Sequence, residues 1–375
     1  MLSFWERESF VSFDHLVIGG GIVGLSTAIE LKTLYPKARI GVLERGVFPS
    51  GASTKNAGFA CFGSLTEVLS DLGKMTDDQV LALVERRWEG LHLLRTRLGD
   101  AAIDYQNFGG YELLRTPEEL AALDQIDKVN ALLKPIFEKP VYEPVMQQLP
   151  DLGFDPTTVK GLVFNPFEGQ IHTGKMMNAL QHFALQMGVE LFTGSQVKAF
   201  EEKRTEVEVQ LENGTLLKAA QLAICTNAFT KGLVVAGELE PGRGVVVVTQ
   251  PITDLKFKGT FHYDEGFYYF RNYENRVIFG GGRNLDMEGE TTTTFGVPEV
   301  ILDKLKQDLS ELILPDTPHE IDMVWSGIMG FGATKQPILK QQSSRVFLGV
   351  RLGGMGVAIG SILGKELAQL MQGCK

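Results

Sequence analysis

The chain has 375 residues, 44% hydrophobic and 22% charged, with a formal net charge of −10. This balance excludes a disordered or fibrous chain and describes a globular protein with one large core or two domains. The acidic excess, without any Lys/Arg block, argues against a nucleic-acid partner.

The N-terminus, MLSFWERESF, carries Glu6, Arg7 and Glu8 where a secretory signal needs an apolar core. The longest uncharged runs, 16–29 and 352–364, fall short of the roughly 18–20 residues that span a bilayer. A soluble, cytoplasmic protein without a membrane span is expected. Residues 15–18 form an apolar run ending in Gly19-Gly20-Gly21, and a helical pattern follows through Ile22, Leu25, Ala28, Ile29 and Leu31 until Pro36. Residues 40–43 read as a second buried strand, ending in Glu44. This β-turn-α-β order opens a doubly wound sheet.

Residues 46–64, GVFPSGASTKNAGFACFGS, are a long loop of small and polar residues, and a loop of that size is usually functional. Helices are predicted over 77–98 and 117–133, with a strand at 109–114 between them. A helix over 174–188 leads into strand, hairpin and strand up to 229, with Asn213-Gly214 as the turn signal. Strands dominate 244–282, a helix covers 301–312, MVWSGIMGFG and SRVFLGV are strands, and the last helix runs 357–371. Cys61, Cys225 and Cys374 are odd in number and match no zinc spacing, so free thiols and no metal are expected.

Gly19-x-Gly21-x-x-Gly24 lies between a strand and a helix, with Glu44 twenty residues beyond Gly24. The glycines permit a tight turn and close approach to a pyrophosphate, whose charge the helix N-terminus favours. Glu44 is placed to accept from ribose hydroxyls. The pattern alone leaves NAD and FAD open. A second glycine cluster, RLGGMGVAIG at 351–360, stands more than 300 residues later.

DHLVIGGGIVGLSTAIEL, VLERG, GASTKNAG, GSQVKAFE, AICTNAF, RVIFGGGR and LGGMGVAIGSILGKELA follow one another along the whole chain. In that order they resemble the FAD-dependent oxidoreductases of the D-amino-acid oxidase, glycine oxidase and sarcosine oxidase superfamily. The resemblance implies an α/β fold with a glutathione-reductase-like, Rossmann FAD-binding domain, built discontinuously from 1–80, 151–235 and 325–375. A sheet-rich substrate domain would come from 81–150 and 236–324. It implies cofactor contacts at Gly19, Gly21, Ile22, Val23, Gly24, Glu44 and Arg45, and at Ser53, Thr54, Asn56, Ala57 and Gly58. Further contacts are implied at Val197, Thr226, Asn227, Gly353, Gly354, Met355, Gly356 and Val357. The late glycines would lie against the isoalloxazine, and the helix they open would stabilise the negative charge of the reduced ring.

No Cys near 328–330 and no His near Asn56 is available for a covalent link, so the FAD is expected to be non-covalent. The Arg and Lys that hold a substrate carboxylate in relatives match Met329 and Ala358 here. Arg351, Arg271, Tyr269, Tyr268, His172 and Met329 are therefore the candidates for the catalytic side, with His262 a further possible proton acceptor. Cys61 reads as structural. On a strand, Tyr268 and Phe270 share one face, Tyr269 and Arg271 the other, and one face should line the cavity.

The function implied is oxidation of a small amine or amino-acid-like substrate by hydride transfer to flavin N5, with oxygen or another electron acceptor taking the electrons. A 2-hydroxy-acid dehydrogenase resembling L-2-hydroxyglutarate dehydrogenase is the alternative, and it would show a His–acid pair beside the flavin. A flavoprotein acting on a macromolecule such as tRNA, disfavoured by the charge, and a flavin binder without turnover complete the alternatives.

Overall fold

The computed structural model describes residues 2–373, so Cys374 lies outside the described residues. Short apolar runs form strands buried on both faces. Val346–Val350, Leu216–Ile224, Ser12–Ile18, Ile40–Leu43 and Glu190–Phe192 pair in that order, all in parallel. The register sets Ile18 beside both Leu43 and Ile224, so the three strands end at one edge. Ile338–Gln341 and the hairpin strands Val197–Glu202 and Val207–Leu211 complete an eight-stranded sheet.

A second eight-stranded sheet runs from Ile321–Phe331 through Glu240–Thr249, Arg276–Gly281, Tyr268–Tyr273, Thr260–Tyr263, Gly110–Leu114 and Gly161–Asn165 to Glu143–Pro144. Only the Thr260–Tyr263 and Gly110–Leu114 pair is parallel. Its outer face packs an aromatic core of Phe154, Phe257, Phe261 and Phe270 against the helix Glu299–Asp308. The α/β class with a sheet-rich second part is thus the architecture formed. Gly161–Asn165 and residues 325–331, which the sequence reading groups with the cofactor-binding segments, hydrogen-bond into this second sheet.

The helix Ile22–Leu34 follows the first strand and packs against the last helix, Gly356–Gln372. The contact is backbone-close. A Cβ added at Gly364 would stand 2.6 Å from the Ser26 Cβ and 2.8 Å from both the Thr27 nitrogen and the Val23 carbonyl oxygen. Asp77–Leu98 lies along the other side of the last helix. Among the described residues no helix is long and apolar enough to cross a membrane.

Gly364→Ala tests this packing. Alanine gains about 1 kcal/mol of helix propensity, but crowding backbone atoms costs about 1–3 kcal/mol. A net loss of up to about 2 kcal/mol is expected in denaturant unfolding. A more stable variant would contradict the close approach.

Candidate active site

A cavity of about 680 Å³ runs between the two sheets, a size ordinary for cofactor and ligand sites. Its first part is the turn at Gly19–Gly24. Gly19 has φ +110°, and a Cβ there would meet the Cys225 carbonyl oxygen at 2.7 Å. A Cβ on Gly24 would lie 1.9 Å from the Gly19 carbonyl oxygen, so only glycine lets the helix start this near the strand. Gly21 caps that helix without a side-chain bond, and the Ser53 hydroxyl accepts from the Ile22 N–H at 3.0 Å. Glu44 is buried behind the turn. Its carboxylate accepts from the Gly20 N–H at 3.0 Å, from the Gly46 N–H at 2.9 Å and from the Ser50 hydroxyl at 2.9 Å. That fixes the turn and the following loop to each other.

Gly19, Gly21, Ile22, Val23, Glu44, Arg45, Ser53, Asn56, Ala57, Val197, Thr226 and Asn227 all line the cavity, and so do residues 353–357. Gly24, Thr54 and Gly58 do not. Gly24 works by packing, the Thr54 hydroxyl donates to the Pro49 carbonyl, and Gly58 (φ +78°) turns the chain under the loop. Asn56 holds its own loop: its amide nitrogen donates to the Ala52 and Ser53 carbonyls, and its amide oxygen accepts from the Gly58 N–H and the Thr173 hydroxyl. At the late cluster Gly353 and Gly354 have φ +57° and +85°, and Met355 caps the last helix without a side-chain bond. Two helix starts whose N-cap residues offer no side-chain acceptor, with a glycine-floored channel between them, suit a long, doubly charged dinucleotide.

The opposite wall is the inner face of the second sheet. Register places Trp325, Val246, Gly280, Tyr269 and His262 in one row across five strands. The Tyr269 ring lies over Gly280, where a Cβ would stand 2.8 Å from it. Burial pushes the Tyr269 hydroxyl up to about 12, so it is a neutral phenol at physiological pH. The Phe59 ring stands edge-on to both His262 and Tyr269, with centroids 5.1 and 5.4 Å away. Met329 also lines this wall.

The other catalytic candidates are elsewhere. Tyr268 faces the outer core, stacked on Tyr263 at 4.8 Å. Arg271 shares the face of Tyr269 but is buried beneath the 56–58 turn, donating to the Ala57 and Ile171 carbonyls. Burial lowers it to about 10. Arg351 (φ +66°) turns its guanidinium away from the cavity and donates to the Gln336 and Glu238 carbonyls, each at 2.8 Å. His172 is the N-cap of Thr173–Gln186, accepting from the Lys175 N–H at 3.2 Å.

His262, a possible proton acceptor in the sequence, and Cys61, read there as structural, stand at this wall instead. His262 and Cys61 line the cavity, and Glu168 lies behind them, all three buried. Their donor atoms fall within 4.8 Å of one another, and His262 Nε2 stands 3.7 Å from Glu168 Oε2. Burial opposes charge on His262, but its interactions with Cys61 and Glu168 outweigh that and raise it well above the usual value. Burial pushes the Cys61 thiol up to about 11, leaving it protonated at neutral pH. The only linear hint of this grouping is the alternation that sets His262 opposite Tyr269; nothing nearby in the chain points to Glu168. Arg283 lines the wall as well. Nearer the mouth, the Lys335 ammonium bridges Glu67 at 3.4 Å and Asp71 at 3.3 Å.

Similarity to known proteins follows the same lines. Residues 14–370 match the DAO family, described as FAD dependent oxidoreductase. The chain is 27% identical over 232 residues to the bifunctional protein ThiO/ThiG of Synechocystis, covering 59% of this chain and 31% of that protein. It is 25% identical over 234 residues to an L-2-hydroxyglutarate dehydrogenase of Escherichia coli, covering 61% of this chain and 51% of the other. The matched regions thus span about a third and about half of those relatives. In structure it resembles glycine oxidase from Geobacillus kaustophilus with a TM-score of 0.76 at 20% identity, covering 97% and 96% of the two chains.

The His262–Glu168 pair makes folding stability depend on pH. Because the fold favours the protonated imidazole, the pair adds stability below about pH 6.5 and loses it as pH rises through the raised value. In Glu168→Gln the buried imidazole should titrate lower than in the wild type, followed by NMR of the ring protons. An unchanged titration would show that Glu168 does not govern His262.

Proposed function

The chain belongs to the DAO family of FAD-dependent oxidoreductases, and on that footing we propose that it oxidises a small amine or amino-acid-like substrate at a C–N bond. The observation that carries this reading is the single cavity reaching from the glycine turn to the Tyr269 wall. FAD supplies the hydride acceptor, N5 of its ring. The residues around it bind, orient and exclude water. Glycine turns at both ends leave backbone N–H groups and helix starts to face the negatively charged parts of the cofactor. Phe59, Tyr269, Met329 and Phe331 give the facing wall an apolar character that excludes water, and the Tyr269 phenol keeps one hydrogen-bonding group there.

The division of the chain follows from this reading. The parallel sheet with the helices Ile22–Leu34 and Gly356–Gln372 serves the cofactor, and the antiparallel sheet serves the substrate. No Cys or His stands where a covalent flavin link is expected, which supports non-covalent binding. Oxygen or another carrier would take the electrons onward. Free, buried Cys61 and Cys225 are in keeping with a cytoplasmic setting, and the −10 charge with a small-molecule rather than a nucleic-acid substrate.

One observation favours a second reading, a 2-hydroxy-acid dehydrogenase. Removing hydride from a hydroxy acid also requires removing its hydroxyl proton, and His262 beside Glu168 is placed to take it once the imidazole is neutral, above its raised value. A neutral amine needs no such base. Two of the similarities above divide the same way, one to a glycine oxidase and one to an L-2-hydroxyglutarate dehydrogenase.

Anaerobic flavin bleaching by a panel of amines, amino acids and 2-hydroxy acids separates the two, in wild type and His262→Asn. The first reading predicts bleaching by an amine compound and little loss in His262→Asn. A loss of about 10²–10⁴-fold confined to hydroxy acids would favour the second. No bleaching by any member would contradict both.

A further inference from the structure

Arg45 lines the cavity beside the first glycine turn and donates to the Ser50 hydroxyl; three further arginines stand close to the cavity, and they meet different fates. Arg271 and Arg351 are bound to backbone carbonyls and turned out of it. Arg283, directly after the Gly281–Gly282 turn, lines the cavity wall. Among the described residues its guanidinium has no hydrogen-bond acceptor and no ion-pair partner, and its Nε is buried without one. It lies over the Phe331 ring, whose centroid is 4.2 Å from the guanidinium carbon. Glu290 is the carboxylate that acts on it electrostatically, but both Glu290 oxygens are held by Arg243, at 2.9 and 2.5 Å. A half-buried cation whose nearby anion is already engaged is costly unless something completes it.

The surroundings make room for that cation. A Cβ on Gly242 would stand 2.4 Å from the Phe331 ring and 2.9 Å from Arg283 Nε, so glycine is what admits both side chains. Two residues along the same strand, a Cβ on Gly244 would stand 3.0 Å from the Met329 methyl group and 3.8 Å from the Tyr269 hydroxyl. Two residues of strand are roughly 7 Å. A small substrate can therefore reach Arg283 with one end while its other end lies at Tyr269.

We infer that Arg283 is the anion-recognition residue of this cavity, and that the substrate carries a carboxylate or an equivalent oxyanion which the guanidinium grips while Phe331 supports it from behind. The inference rests on the oxidoreductase reading above and adds the substrate's charge to it. It assigns the role that Met329 and Ala358 cannot fill to a residue on a different strand end. The planar guanidinium offers two parallel N–H donors to a carboxylate, a geometry that lysine cannot reproduce.

The test is calorimetric titration of the FAD-loaded protein with benzoate and, separately, with uncharged benzamide, alongside the visible spectrum. Wild type should bind benzoate saturably and benzamide at least about tenfold more weakly. Arg283→Met should weaken benzoate by roughly 10- to 100-fold while leaving benzamide binding, FAD content and melting temperature unchanged. Arg283→Lys should recover part of the loss. Equal benzoate affinity in wild type and Arg283→Met, or no saturable benzoate binding by wild type, would overturn the inference. A protein that holds no flavin but still binds benzoate through Arg283 would overturn the oxidoreductase reading and leave the anion site standing.

Discussion

The contact between the helices Ile22–Leu34 and Gly356–Gln372 is the constraint on which the site depends. The two glycine turns lie more than 300 residues apart in the chain, yet both must address one ligand. Each turn opens one of these helices. Packing the helices backbone to backbone, with Gly364 against Ser26 and Thr27, brings both helix starts to one cavity. Glu44 then ties the first turn to the loop that follows it, and Ser53 reaches back to the helix start. A side chain at Gly19, Gly24 or Gly364 would push apart surfaces that the cavity needs close.

Charge on the opposite wall is handled in two ways. Arg271 is buried where only carbonyl oxygens meet it, and its desolvation is partly answered by those dipoles and by the turn it supports. His262 is buried where a carboxylate meets it, so it holds its proton more tightly than a free imidazole. The first arrangement fixes the 56–58 loop against the sheet. The second sets a proton beside the cavity. Arg283 follows neither pattern, and that contrast gives it a binding rather than a supporting character.

Much of the cofactor side was legible in the sequence because its signals are local. A strand, a turn and a helix in succession require glycines at fixed spacing, and Glu44 closes the pattern at the next strand. The catalytic side was not legible in the same way. Arg351, Arg271 and Arg283 look alike as residues near glycines, and only distant partners decide their fates: Glu238 and Gln336, Ala57 and Ile171, or none. Glu168 reaches His262 across almost a hundred residues, through a sheet register that no local spacing encodes. Alternation did separate Tyr269 from Tyr268, but could not say which face was inward.

The central claim is that both glycine turns serve one FAD molecule held without a covalent bond. Acid precipitation of the purified protein, with quantification of flavin in supernatant and pellet, tests it most directly. The account predicts close to one FAD per chain, released intact into the supernatant. Flavin retained in the pellet would contradict non-covalent binding, and a colourless protein that takes up no added FAD would contradict the site itself.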